Sequence, residues 1–178
     1  VSLYMTRELG PMITAIIVAG RSSSAFAAEI GSMKVSGEGD ALTVMGFDPH
    51  AFLVLPKVIA TLLVMPLLTL FSDIFAILGG LIVGVGVLDL TMHGYIDMTY
   101  ETLTLFDVYW GIGKSVIFAL MISWTGCLRG FQVSGGATAV GQAATSAVVT
   151  SIFIIILIDS IFAVLLTYWA PEQANFLM

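Results

Sequence analysis

Four long apolar regions alternate with shorter polar segments along this chain of 178 residues. A bilayer core of about 30 Å requires roughly 20 apolar residues in a helix. Regions that can supply such a span lie at about 9–28, 51–88, 112–128 and 146–169. The pattern therefore predicts an all-α integral membrane protein, with one polytopic helix bundle over residues 1–178 and four visible spans.

The first two spans differ in composition and length. The first is rich in Gly, Ala and Ser, and small residues at four-residue spacing, such as Ala15 and Ala19, predict a central position because they let helix backbones approach closely. The second region is too long for one perpendicular span and contains Pro66 and Gly79-Gly80. It forms either one long tilted helix or a span followed by a second segment, and we favour one long helix.

The polar segments predict what lies at the membrane surfaces. Residues 89–110 contain four acidic residues, interleaved Tyr and Trp residues and no Lys or Arg, which predicts an interfacial loop or a short surface helix. The small-residue stretch at 129–145 predicts a tight turn between the last two spans. Tyr168 and Trp169 predict an interfacial anchor at the end of the fourth span.

Lys and Arg counts indicate the orientation only by a small margin. If residues 29–57 lie inside, three basic residues are inside and two are outside. These are Lys34, Lys57 and Arg129 on the inside, and Arg7 and Lys114 on the outside.

Composition supports membrane residence and excludes other classes. Hydrophobic residues make up 58% of the chain and charged residues 10%, whereas soluble domains carry about 25% charged residues. The net charge of −6 argues against nucleic-acid binding, which needs a basic surface. The single cysteine, Cys127, excludes a disulfide framework, and His50 and His93 lack metal-ligand spacing, so we predict no metal site and no catalytic residue.

The loop between the first two spans, at about residues 31–50, has an organised pattern. Glu38 and Asp40 precede several apolar positions, and Gly46 follows them. Acidic residues at a helix start and Gly just beyond its end are typical helix termini, so the pattern predicts a short helix over about Gly39–Met45. Such a helix is too short to be stable alone, so we expect it to need a partner surface.

The same segment resembles a known signature. Asp40-Ala41-Leu42, then three residues, Gly46 and later Leu55-Pro56 resemble the EAA signature of ABC importer permeases, although Asp replaces the usual Glu and Leu the second Ala. A longer string from Arg7 to Ala60 resembles the MlaE/YrbE permease family. This resemblance continues through LGGLIVG at 78–84, GIGKSVIFALMISWTGCLRGF at 111–131 and the turn at 134–141.

The resemblance implies a function and a set of partners. Members of this family are permeases of the bacterial inner membrane that pair as homodimers and move phospholipids or related lipids between membranes. They bind a cytoplasmic ABC ATPase, which carries ATP and Mg, and a periplasmic MCE-domain protein. This chain has no G-x-x-x-x-G-K-[ST] sequence, so we expect no cofactor in it and no enzyme activity of its own.

The resemblance also implies a coupling segment and a longer chain. In the family this segment forms a coupling helix that docks on the ATPase, and the residues expected to do so here are Glu38, Asp40, Ala41, Leu42, Met45 and Gly46. The family has five spans after an N-terminal interfacial helix. Because four are visible here, we expect an N-terminal part to be absent from the 178 residues.

Charged residues in the spans cost roughly 2.5–3.5 kcal/mol each on insertion scales, so each needs a partner or a water-filled cavity. We expect Arg7, Glu8 and Lys114 near the outer ends of their spans, where the cations either hold a lipid phosphate or snorkel at the interface. Arg21 and Glu29 lie two helical turns apart on about the same face. They predict either gating or headgroup contact, or structural ion pairs.

Two other functions remain open. Asp73 and Asp159 lie in apolar runs, and as proton-relay groups they would make this a proton-coupled secondary transporter or channel; otherwise they have structural roles. That class predicts paired interrupted helices in two halves of the chain, and the sequence has no convincing repeat. An intramembrane hydrolase using the serines at 22–24 would lack both the flanking Gly of a nucleophile elbow and a histidine within a span.

Overall fold

The computed structural model describes residues 2–169, and we number its six helices in chain order. α1 runs over Met5–Val35, α2 over Glu38–Val44, α3 over Pro49–Gly86, α4 over Met92–Thr102, α5 over Leu105–Phe131 and α6 over Ala137–Trp169. A short helical segment, Ser2–Tyr4, leads into α1. The described residues contain no strand, so the predicted all-α fold is confirmed.

Four of these helices are long and apolar enough to cross a membrane: α1, α3, α5 and α6. They contain between 27 and 38 residues, more than the roughly 20 that a bilayer core requires. The chain is therefore a multi-pass membrane protein. The short helices lie at opposite ends of the bundle, because α2 joins α1 to α3 and α4 joins α3 to α5. We refer to these ends as the α2 end and the α4 end.

Three of the long helices, α1, α5 and α6, extend beyond the apolar windows that predict them, whereas α3 begins and ends two residues before its predicted window. The predicted tight turn at 129–145 is wrong for most of its length, because only residues 132–136 separate α5 from α6 and residues 137–145 are helical. This stretch is rich in Ala, the best helix former, whereas hydropathy marks only the apolar part of a helix. Of the predicted anchor pair, Tyr168 is exposed, and the side chain of Trp169 lies outside the described residues.

Residues 49–86 form a single helix, so α3 continues through Pro66 and Gly79-Gly80 without a break. The Asp48 side chain caps its start, since Oδ1 accepts a hydrogen bond from the backbone N–H of His50 at 3.0 Å. Pro49 suits the first position because its missing N–H would have no helical partner there. One continuous helix thus joins the α2 end to the α4 end.

The helix α4 lies against the last turns of α3. The Tyr95 hydroxyl donates a hydrogen bond to the Ile77 carbonyl oxygen at 3.1 Å. A Cβ on Gly80 would collide with this hydroxyl, so the absence of a side chain there lets Tyr95 approach the α3 backbone. The acidic segment at 89–110 therefore contains a short helix, Met92–Thr102, which packs on α3.

The core lies where α5 packs against α1, α3 and α6. An added Cβ would lie 2.9 Å from the Ser23 carbonyl oxygen at Gly126 and 2.7 Å from Ile30 Cβ at Gly130, so α1 and α5 are in close contact. Small residues permit such contacts between membrane helices. The buried apolar cluster consists of Ala15, Ala19, Met65, Phe118, Ala119, Ile122 and Ile155.

Buried hydroxyl groups connect the same helices. Ser151 Oγ on α6 lies 2.8 Å from Ser23 Oγ on α1 and 2.5 Å from Thr125 Oγ1 on α5. Ser123 Oγ on α5 donates to Thr61 Oγ1 on α3 at 3.0 Å. Hydrogen bonds between helices contribute roughly 0.6 kcal/mol each in membrane proteins, so these hydroxyls add stability to the apolar packing.

Candidate functional site

A buried cluster of charged residues lies toward the α4 end of the bundle. Lys114 on α5 is 1% exposed, and its Nζ lies 2.6 Å from Glu8 Oε2 on α1 and 2.6 Å from Asp159 Oδ1 on α6. One ammonium group therefore bridges carboxylates from two other helices. Because the surroundings are apolar, each charge needs an opposite charge in contact with it.

Arg7 and Asp107 form a second ion pair in the same region. Arg7 Nε lies 3.6 Å from Asp107 Oδ1, and both residues are buried. Asp107 also caps α5, since Oδ2 accepts hydrogen bonds from the Thr104 hydroxyl at 2.6 Å and the Thr104 backbone N–H at 3.1 Å. The start of α5 is thereby connected to the π-helical segment Met5–Leu9 of α1.

The cluster consists of two cations and three carboxylates from three helices. Sequence reasoning singled out four of its five members and treated Asp107 only as part of an acidic surface segment. The pattern Thr104-x-x-Asp107 before an apolar run is typical of a capping arrangement and could have identified Asp107 as the cap of α5, though not as a partner of Arg7. The Lys114 side chain does not reach a surface of the single chain, because protein encloses it completely.

Arg21 and Glu29 are not brought together. Glu29 Oε2 lies 2.8 Å from Lys57 Nζ, which joins α1 to α3 near the α2 end. Arg21 is exposed in the π-helical segment Ala19–Ser23, on a face of α1 that also exposes Ile17. The acid thus pairs with a neighbouring helix, and the guanidinium points away from the bundle of the single chain.

The two aspartates of the proton-relay hypothesis lie in different surroundings. Asp159 contacts Lys114 in the charge cluster. Asp73 on α3 is buried against α1, where a Cβ on Gly10 would collide with Asp73 Oδ1. That oxygen has no hydrogen-bond partner among the described residues.

Two of the three serines of the hydrolase alternative have structural partners. Ser23 contacts Ser151, and Ser24 Oγ donates to the Gly20 carbonyl oxygen at 2.7 Å. No hydrogen bond joins a histidine to these serines in the described part of the chain. His50 instead packs its ring 4.3 Å from the ring of Phe131 at the α2 end.

The short helix α2 is bounded by glycines in the left-handed backbone region. Gly37 precedes it with φ of 78°, and Gly46 follows it with φ of 84°, a conformation that L side chains rarely adopt. Glu38 and Asp40 occupy its first turn, where the free N–H groups favour negative charge. The helix spans Glu38–Val44, one residue earlier at each end than the predicted bounds.

The helix α2 exposes both charged and apolar groups. None of its residues is buried, Val44 is 88% exposed, and Met45 directly after it is 63% exposed. Ala41 and Gly46 are also exposed, and Leu42 is partly covered. The surface is thus acidic at its start, apolar at its end and free of basic residues, which suits a protein partner with basic and apolar groups.

Contacts on both sides connect α2 to α5. Lys34, just before α2, donates a hydrogen bond from Nζ to the Phe131 carbonyl oxygen at 2.6 Å. His50, just after it, packs on the Phe131 ring. A cation at the last carbonyls of a helix is favoured by the helix dipole. The exposed helix therefore has flanks that are held to the last turn of α5.

Four apolar spans, an exposed short helix at one end and a buried charge cluster toward the other define a multi-pass α-helical membrane protein. The model of the Permease MlaE family matches residues 1–165. The chain belongs to this family, as the resemblance of its sequence implies.

Relatives from bacteria and a plant are similar to the chain. A probable ABC transporter permease of Rickettsia typhi is 42% identical over 157 residues, which cover 88% of this chain and 61% of that protein. A probable ABC transporter permease of Synechocystis is 41% identical, covering 86% and 59%. The chloroplastic protein Trigalactosyldiacylglycerol 1 of Arabidopsis thaliana is 39% identical, covering 89% and 45%. The chain thus spans at most 61% of the length of these relatives.

Proposed function

We propose that this chain is the membrane-spanning part of an ABC transporter permease that moves phospholipids or related lipids between membranes. Its family and the names of its bacterial relatives support the permease function. The name of the Arabidopsis relative includes the name of a diacylglycerol lipid, and this supports a lipid as the cargo of the transporter proposed here. The protein acts in the bacterial inner membrane. Membership of this family favours an ATP-driven permease over the proton-coupled alternative.

A separate cytoplasmic ATPase, with its ATP and Mg, docks on α2 in this proposal. The observation that supports this docking site is that α2 is exposed, while Lys34 before it and His50 after it contact Phe131 of α5. A helix of seven residues is not stable alone, and its apolar end is solvated in the single chain. Since Lys34 and His50 hold the flanks to Phe131, a displacement of α2 is passed to α1, α3 and α5.

Co-purification with the ATPase tests this docking site. The double substitution Glu38→Lys and Asp40→Lys reverses two exposed charges and should abolish the association. The matched control is Asp97→Lys with Glu101→Lys, which reverses two exposed charges on α4 at the opposite end and should leave it intact. If the folded α2 variant still associates fully with the ATPase, α2 is not the docking site.

Two copies of the chain pair through the exposed face of α1 in this proposal. Arg21 and Ile17 are exposed on this face, and a guanidinium exposed to lipid is costly, so a second copy or a headgroup between the copies is expected there. A Cβ on Gly20 would meet no atom of the chain within 4 Å, which leaves room for close helix packing.

Gly20→Cys should form a disulfide between two copies, whereas Phe75→Cys on the exposed side of α3 should not. Equal cross-linking at both positions would contradict this interface.

The charge cluster provides a headgroup site at the α4 end, where a periplasmic MCE-domain protein would exchange lipid. Arg7 and Lys114 are enclosed in the single chain, so in this proposal a phosphate reaches these cations only by displacing a carboxylate partner, such as the partly exposed Glu8. Arg7→Ala with Lys114→Ala should reduce the phospholipid retained in native mass spectra, measured at a temperature at which circular dichroism shows that the variant is still folded. Lys34→Ala at the opposite end is the control. Unchanged retention by the double variant would remove the cluster from the lipid path.

A further inference from the structure

Two adjoining polar cavities lie at the α2 end, beside the last turn of α5 and the first turns of α6. Their volumes are about 290 and 640 Å³. Gln142 and Ser146 on α6 line both of them, and residues four apart lie on the same face of a helix. We refer to the two cavities together as the α6 groove.

Arg129, the residue of α5 that lines the α6 groove, lies where the two cavities meet. Its side chain is half-buried. Nη1 donates a hydrogen bond to Gln132 Oε1 at 3.4 Å, and Nη2 donates one to Thr150 Oγ1 at 3.1 Å. Gln132 lines the smaller cavity and Thr150 the larger one, so the guanidinium group lies between them. The two hydrogen bonds also hold its orientation.

The guanidinium group of Arg129 has donors to spare and no opposite charge. Arg7, Lys57 and Lys114 each contact a carboxylate, whereas Arg129 forms no ion pair within the described part of the chain. A guanidinium has five N–H donors, and the two hydrogen bonds use only two of them. No nitrogen of Arg129 is both buried and unbonded among the described residues, so its unused donors are accessible. Phosphate oxygens match such a planar set of donors.

The α6 groove lies at the level of lipid headgroups. The apolar part of α5 ends at Leu128, directly before Arg129, and the apolar part of α6 begins at Ser146. Both Arg129 and Ser146 line the groove. The groove therefore lies where the apolar surface of the helices gives way to polar surface, and lipid phosphates lie at this boundary of the hydrocarbon core.

An apolar surface continues from the α6 groove toward the membrane interior. Val149 lines the larger cavity and is 64% exposed, and Phe153, one turn further along α6, is 67% exposed. Residues four apart share one face of a helix, so both side chains lie on the same side of α6. An acyl chain can therefore lie on this surface while the phosphate contacts Arg129.

The charge of the lining discriminates between headgroups. The described residues that line the α6 groove include no Asp or Glu. The ammonium group of a zwitterionic headgroup would thus find no carboxylate there. A glycerol headgroup carries hydroxyls, which can exchange hydrogen bonds with Gln142 and Ser146.

We propose that the α6 groove binds one anionic phospholipid from the leaflet on the α2 side. Its phosphate accepts hydrogen bonds from Arg129, and its headgroup hydroxyls contact Gln142 and Ser146. One acyl chain lies along Val149 and Phe153. The site lies at the end of the bundle opposite the charge cluster, and it does not depend on the transport function.

Native mass spectrometry of the full-length permease, purified with its ATPase, tests the proposal. The complex is incubated with equimolar phosphatidylglycerol and phosphatidylcholine of equal chain length. It should retain phosphatidylglycerol several-fold more than phosphatidylcholine. Excess inorganic phosphate should not displace the lipid, because it lacks the acyl chain that contacts α6.

Variants of Arg129 identify the site. Arg129→Gln should weaken the retention of one phosphatidylglycerol per chain by roughly 10-fold, because hydrogen bonds to a charged group are lost. Arg129→Lys keeps the charge without the planar set of donors and should have an intermediate effect. The control is Arg129→Gln with Ser36→Lys, which restores the net charge at an exposed position outside the lining and should remain as deficient as Arg129→Gln.

Four results would overturn the proposal. The first is equal retention by Arg129→Gln and the unmodified protein, as expected if the ATPase or a second copy covers the groove. The second is recovery in the double variant, because net charge would then be responsible. The third is displacement by inorganic phosphate, which would indicate a soluble ligand, and the fourth is equal retention of the two lipids. If Arg129→Gln does not fold, Gln142→Trp, which fills the groove from an exposed position, should abolish the retention, and unchanged retention would be equally decisive.

Discussion

Replacing Lys114 by Met measures how much the charge cluster contributes to stability. Met has a similar length but lacks the ammonium group that lies 2.6 Å from both Glu8 and Asp159. The substitution leaves two carboxylates in an apolar surrounding without their shared counter-charge. Removing one partner of a buried ion pair costs about 3–5 kcal/mol. We expect a loss in this range rather than twice this range, because both carboxylates lose the same ammonium group.

Thermal unfolding in detergent, followed by circular dichroism, measures this loss. For chains of 150–250 residues, 1 kcal/mol changes Tm by about 2–4 °C, so Lys114→Met should lower Tm by roughly 6–20 °C. The triple variant Glu8→Gln, Lys114→Met and Asp159→Asn removes all three charges and should recover most of the loss. Lys34→Met, at an exposed lysine, is the control and should cost at most about 1 kcal/mol.

Two results would refute this reasoning. The first is a Tm of Lys114→Met close to that of the unmodified protein, since the ion pairs would then contribute little. The second is a triple variant no more stable than Lys114→Met, because the loss would then arise from packing rather than from unpaired charge.

Two further predictions concern the contacts between helices. Gly130→Ala should lower the free energy of unfolding by about 1–3 kcal/mol, because its Cβ would lie 2.7 Å from Ile30 Cβ. The control is Gly113→Ala on the same helix, where a Cβ would meet nothing within 4 Å, and it should be neutral or slightly stabilising. Equal losses in the two variants would contradict the close contact. Ser151→Ala should cost roughly 0.6–1.7 kcal/mol by removing contacts with two hydroxyls, and Ser160→Ala, an exposed position on the same helix, should cost less. Denaturant titration measures all four variants, and an equal cost at both serines would contradict the network.

Much of the architecture could be predicted from the order of residues alone. Apolar runs longer than a bilayer core indicate spans, and the acidic start and glycine end of α2 indicate a short helix between two of them. Such signals are local, because a span or a helix terminus depends on residues close together in the chain. For the same reason, Glu38 and Gly46 could be recognised without knowledge of any neighbour in space.

The contacts between helices could not be predicted in this way. Lys114 lies 106 residues from Glu8, and their pairing depends on how α5 is rotated against α1. Hydropathy carries no information on rotation, so Asp107 could not be assigned to Arg7. Hydropathy also places helix ends poorly, because the first turns of α6 at 137–145 are helical but not strongly apolar.

The length of α3 has a mechanical consequence. Its 38 residues make a rod of about 57 Å, longer than the roughly 40–45 Å of a whole bilayer with its headgroups. The rod carries α2 beside one tip and α4 beside the other, with Tyr95 fastened to its backbone. Tilting it by about 10° around its midpoint moves each tip by about 5 Å in opposite directions, by the geometry of a helix of this rise. A displacement of α2 on one side of the membrane would thus move α4 on the other side in the opposite direction, and no helix between them needs to change its secondary structure.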